Sequence, residues 1–138
     1  FGALRRHDSP VSGGLRSLVA VRVSQLTGCA FCIDLNASLL AAHGADEAKL
    51  AALNHWVESP QFTPPERAAL AYAEAMTATP PTFDDTLFAA LRQHFSPAAI
   101  VELTAVIGFQ NMSARFNTAL QAEAHGFCAM PLPRTPAR

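Results

Sequence analysis

Apolar positions along this chain cluster in blocks that follow helical spacing more closely than strand alternation. After Gly14 they fall at Leu15, Leu18, Val19, Val21, Val23 and Leu26. The run is dense enough for a buried helix or a strand, but Leu15, Leu18, Val19 and Leu26 fit the 3.6-residue period better. Thr27-Gly28 breaks it. A second predicted helix starts near Cys29 and passes through Ile33, Leu35, Leu39 and Leu40 to His43, with Gly44 just past its end. Asp46 caps a short third one, Glu47 to Leu53. Thr63-Pro64-Pro65-Glu66 is a capping box with proline at the first helical position, and opens a helix from Pro64 to about Thr77. A further helix covers Asp84 to His94. Ser96-Pro97 caps the last, expected to run to about Ala124 and to end at Gly126. No alternating segment with hairpin turns appears, and nothing repeats at a period of 20–50 residues. The expected fold is all-α, in one domain.

Composition adds a constraint. Half of the 138 residues are hydrophobic and 15% are charged, against about 25% in an average soluble domain. That surplus predicts a homo-oligomer whose contacts absorb apolar surface, with the last helix (Ile100, Ile107, Phe109, Met112, Phe116) serving the interface or the central core. A membrane span is not expected: the longest uncharged stretch, Leu103–Ala114, has 12 residues, where a bilayer needs about 20. A net charge of −1 with no basic stripe argues against nucleic acid. Three cysteines are too few and too uneven for a secreted disulfide scaffold, and Phe1–Pro10 has no apolar leader stretch. The expected compartment is the cytoplasm, where thiols are kept reduced by default.

Candidate chemistry concentrates in Cys29-Ala30-Phe31-Cys32. Two intervening residues on a first helical turn bring the sulfurs within disulfide reach. Free N–H groups and the dipole at a helix start favour a thiolate, most strongly at Cys29. Such a dithiol is suited to redox work. Zinc binding and inert burial are the other readings, the former with Cys29, Cys32, His125 and Cys128 as ligands.

The stretch from Leu15 to Asn36, built on Arg22-Val23-Ser24-Gln25-Leu26-Thr27-Gly28 and the cysteine pair, resembles the carboxymuconolactone decarboxylase-like superfamily, and within it the alkylhydroperoxidase D-like branch. The likeness continues through His43-Gly44, Phe62, Glu66-Arg67-Ala68-Ala69-Leu70-Ala71 and Asn111–Phe116, over roughly residues 15–120. It implies a helical domain over 15–126, between an N-terminal segment, 1–14, and a Pro-rich tail, 127–138. It further implies a homo-oligomeric thiol peroxidase or disulfide reductase with no metal or flavin, recycled by a dithiol or thioredoxin-like reductant. On that model Cys32 is oxidised by peroxide to a sulfenic acid, and Cys29 resolves it. The decarboxylase branch fits less well, because its chemistry uses no dithiol.

The resemblance also exposes two departures. The active pattern carries Glu twelve positions before the first cysteine and His four after the second; here those positions hold Ser17 and Asn36. Neither titrates near neutrality, so the proton relay is lost and a slow peroxidase is expected, with a redox-inactive binding protein as the alternative.

Other polar residues receive structural readings. His43 shares a helical face with Cys32, but eleven residues are about 16 Å of helix, so it is read as a helix-end cap. His55, beside Trp56, is read as packing and Asp34 as structural. Glu102 and Arg115 are each expected to pair across a helix or subunit contact. Cys128 is expected to be a free thiol.

Overall fold

A computed structural model describes residues 9–132. Their order is α1 Gly13–Thr27, α2 Ala30–Ala42, α3 Glu47–Ala52 running into a 3-10 turn at Leu53–His55, α4 Pro64–Thr77, α5 Asp85–His94 and α6 Pro97–Ala119. No strand occurs among the described residues, so the all-α, single-domain expectation holds. The beginning of the 1–14 segment and the end of the Pro-rich tail lie outside the described residues.

α1 is the axis of the fold, and every residue from Ser17 to Gln25 is buried. A helix covered on all sides has no polar face to carry a clean period, which is why its sequence also read as a strand. On one flank Val19 and Val23 pack with Ala69, Tyr72, Leu91, Leu103 and Ile107 from α4, α5 and α6. On another, Leu18 and Val21 pack with Leu40, Leu50, Leu53, Trp56, Phe62 and Leu70 from α2, the α3 region and α4. Ser12 starts the helix by accepting the Leu15 N–H at 3.2 Å, and Gly28 ends it with a φ of 72° that an L side chain rarely adopts.

The starts at Asp46, Thr63 and Ser96 follow the caps expected of them, and Asp84, expected as the first residue of its helix, is a cap as well. Asp46, Asp84 and Ser96 each accept an N–H three residues on, and Thr63 and Glu66 form the reciprocal capping box.

The end of α6 departs from expectation. It stops at Ala119, not Ala124, because Gln121 adopts a left-handed φ of 55°. The Gln121 N–H donates to Thr118 O and the Ala122 N–H to Asn117 O, closing a Schellman motif without glycine. Gly126, also at positive φ (73°), lies in the extended segment that follows. That segment folds back: Phe31 packs edge-on to His125 and Phe127, while Cys128, Met130 and Leu132 pack on the Leu18–Trp56 side of the core.

α6 has mixed surroundings. Ile107 is fully buried and Ile100 packs beside it, whereas Val101, Met112, Phe116 and Leu120 are exposed. Glu102 pairs across to Arg16 of α1 at 3.0 Å. Arg115 does not cross a helix; its guanidinium donates to Asn111 one turn back, where an amide oxygen at 3.0 Å is the nearer acceptor. His55 is exposed at the end of the 3-10 turn, and the packing expected of it belongs to Trp56. The Trp56 indole N–H donates to Glu74 Oε1 at 2.7 Å, and the same carboxylate pairs with the buried Arg22. Among the described residues, no helix is long and apolar enough to cross a membrane.

Candidate active site

Cys29 is the N-cap of α2, and its Sγ accepts the Cys32 N–H at 3.2 Å. Cys29 and Cys32 are joined by a disulfide, with Cα atoms 5.2 Å apart. Both are buried, packed against Ala114 of α6 and Phe31. The Asn117 side chain of α6 donates to Cys32 Sγ at 3.4 Å. Cys128 is the free cysteine, as expected.

Cys32 lines an open cavity of about 580 Å³ between α1, α2 and α6. Ser17 and Asn36 line it too, so both relay positions stand in one chamber with the disulfide. Asn36 is held on three sides: its amide donates to Cys32 O at 2.9 Å, Gln110 Oε1 at 3.2 Å and Ser24 Oγ at 3.3 Å. Gln110 in turn donates to Ser24 Oγ at 3.1 Å, and Ser24 donates to Ala20 O. Ser24, Asn36 and Gln110 are thus a closed set of neutral, hydrogen-bonded groups behind the disulfide. It supports the backbone beneath Cys32, and no member of it changes charge near neutrality. His43 lines the opposite end of the cavity, at the C-cap of α2.

Asp34 lies on the other side of α2, fully buried. Its carboxylate accepts the N–H groups of His125 at 2.8 Å, Phe127 at 3.1 Å and Cys128 at 2.8 Å. Burial alone would push this carboxyl up; backbone hydrogen bonds from Cys128, Phe127, His125 and Gly126 outweigh it and hold the group below its ordinary 3.8. Asp34 is structural, as expected, and its partners are backbone amides of the returning C-terminal segment. This fold-back also bears on zinc. The His125 ring lies against Phe31 and Phe127, Cys128 packs into the core, and among the described residues no three His, Cys, Asp or Glu side chains gather to hold a metal ion.

Residues 1–75, over half of the chain, match the carboxymuconolactone decarboxylase family. The chain belongs to that family. Among its relatives in the family, the uncharacterized protein YnjA of Escherichia coli K12 is 46% identical over 134 residues, 97% of this chain and 74% of that one. Of solved structures, an Agrobacterium tumefaciens protein of unknown function, named as a candidate antioxidant defence protein AhpD, superposes with a TM-score of 0.82. It is 31% identical, with 90% of this chain and 87% of that one covered. The debrominase Bmp8 superposes at 0.76 with 25% identity, over 85% of this chain and 63% of its own. The expected superfamily and its AhpD-like fold are therefore those of this chain.

Sequence reasoning missed four polar contributors to the cavity: Arg16, Gln110, Ser113 and Asn117. A signal for the last three existed. Gln110, Ser113 and Asn117 recur at i, i+3 and i+7 on a largely apolar helix, which marks a polar stripe facing something other than core.

Proposed function

We propose that this family member is a thiol–disulfide oxidoreductase that reduces organic hydroperoxides. The observation that carries this is the Cys29–Cys32 disulfide with Cys32 on the cavity wall. Starting from the dithiol, the Cys32 thiolate attacks the terminal peroxide oxygen; the O–O bond breaks, giving Cys32 sulfenic acid and, after protonation, an alcohol. The Cys29 thiol then displaces hydroxide from that sulfur, forming the disulfide and, with a proton, water. An external dithiol or thioredoxin-like protein returns two electrons and two protons. Ser17 and Asn36 can orient a proton-carrying water but cannot supply the proton, so the steps draw protons from solvent and run slowly.

Likeness to Bmp8 favours a second reading, reductive dehalogenation in the same chamber. There the dithiol and an organic bromide would give disulfide, the debrominated product and HBr. Turnover of cumene hydroperoxide and of a bromopyrrole, each with dithiothreitol as reductant, separates the readings. Peroxide consumption that disappears in both Cys32→Ser and Cys29→Ser supports the first, and bromide release alone supports the second. Activity in neither, with the dithiol intact, overturns both in favour of a binding role.

A further inference from the structure

The two ends of the cavity differ chemically. Along α2 it runs from Cys32 to His43, eleven residues or about 16 Å of helix. Arg16 and Gly13 of α1 close the end remote from sulfur, where the His43 ring lies so near Gly13 that an added Cβ would come within 2.4 Å of it. Between the ends Leu35 and Leu39 of α2 and Val106 and Phe109 of α6 supply an apolar strip of wall beside the polar Ser17, Asn36 and Gln110. Arg16 is the permanently charged side chain among the lining residues. Its Nη1 is committed to Ser9, the Val11 carbonyl and Glu102. Its Nη2 and Nε carry no hydrogen bond among the described residues, and the side chain is 22% exposed. Gly13 opens α1, so the positive end of that helix dipole lies at the same end.

Resting on the oxidoreductase reading, the geometry points to an anionic amphiphile as substrate. Its carboxylate is held by Arg16, its apolar chain lies between α2 and α6, and its reducible group reaches Cys32. A carboxylate accepts guanidinium N–H groups in their fork, which a neutral head group leaves to water. Glu102 keeps Arg16 in place and offsets part of its charge, so the preference for an anionic head is about tenfold rather than larger.

Calorimetric titration of the disulfide form with decanoate and with decanamide tests this directly. Decanoate should bind about tenfold more tightly. Arg16→Gln should bring the two within about twofold, while Phe109→Ala weakens both alike. Equal affinities in the wild type, or an undiminished preference in Arg16→Gln, overturn the proposal. Should Arg16→Gln fail to fold for want of its Glu102 pair, the wild-type comparison decides alone. Binding to the oxidised protein needs no turnover, so a failed peroxidase assay leaves this result standing. Conversely, equal kcat/KM for linoleic acid hydroperoxide and its methyl ester would sink the anionic preference while sparing the oxidoreductase.

Discussion

The two sides of α2 handle polarity in opposite ways. Toward the cavity, Asn36 is tied to Ser24 and Gln110, and this neutral set holds its hydrogen bonds without any charge. Toward the returning C-terminal segment, Asp34 buries a full charge and surrounds it with backbone N–H donors. A buried charge persists only where donors replace its water. The difference teaches that charge is placed here in architecture, while the groups behind the disulfide are neutral; on the proposed function the protons would come from solvent.

The largest effect expected is at sulfur. Cys32→Ser should reduce peroxide turnover to background, and Cys29→Ser should let Cys32 over-oxidise to sulfinic acid, seen as two added oxygens by mass spectrometry. Retained turnover in Cys32→Ser would separate the cavity from the chemistry. Next, Ser17→Glu with Asn36→His should place a titratable pair on the cavity side and speed turnover by about 10²-fold, the lower end for general acid–base help. Ser17→Glu alone should slow it, since an unbalanced carboxylate beside a thiol raises the thiol pKa. Identical rates in all three forms would show that the two positions take no part.

On the opposite side, Asp34→Asn turns an acceptor toward donors into a mixed group and should cost about 2–3 kcal/mol in urea unfolding. Amide exchange at His125, Phe127 and Cys128 should quicken in that variant, and unchanged protection would show that the segment is held by its apolar contacts alone. Buried and paired carboxylates should govern acid stability. Asp34 and Glu66 both titrate below their ordinary values of 3.8 and 4.5, Glu66 because its Lys49 and Thr63 partners outweigh burial. Their contributions are complete above those ordinary values and are lost as pH falls through the lower folded ones. The urea midpoint should therefore hold steady down to about pH 4.5 and then decline, with a flatter decline in Asp34→Asn. Smallest is the effect of the exposed α6 face. We propose that it joins copies of the chain, so light scattering should give a mass above 14.7 kDa that Phe116→Glu lowers with activity little changed.

Legibility in the sequence tracked locality. Thr63-Glu66, Asp46 and Ser96 act on backbone within one turn, so their helices could be read directly. The cysteine pair was legible for the same reason, its partners being three residues apart. Ser12 was hidden because glycines follow it where a periodic apolar residue would mark a start. Asp34 and its acceptor role could not be read, since its donors lie more than ninety residues away. Arg22 likewise gives no local sign of its partner, since Glu74, which also accepts from Trp56, lies fifty-two residues on. Arg16 belongs with these: nothing local tells which interhelical gap a cation will line.

One residue's handedness has a long reach. Had α6 continued to Ala124, the chain would have travelled roughly 7 Å further along the helix axis before it could turn. Gln121 reverses the path first, and the residues after it gain the length needed to return to α2 and deliver their amides to Asp34. Gln121 is thus a steering point: it aims the last described stretch of chain at the helix that carries the cysteines. A substitution there should loosen the footing of α2 from a position that does not line the cavity.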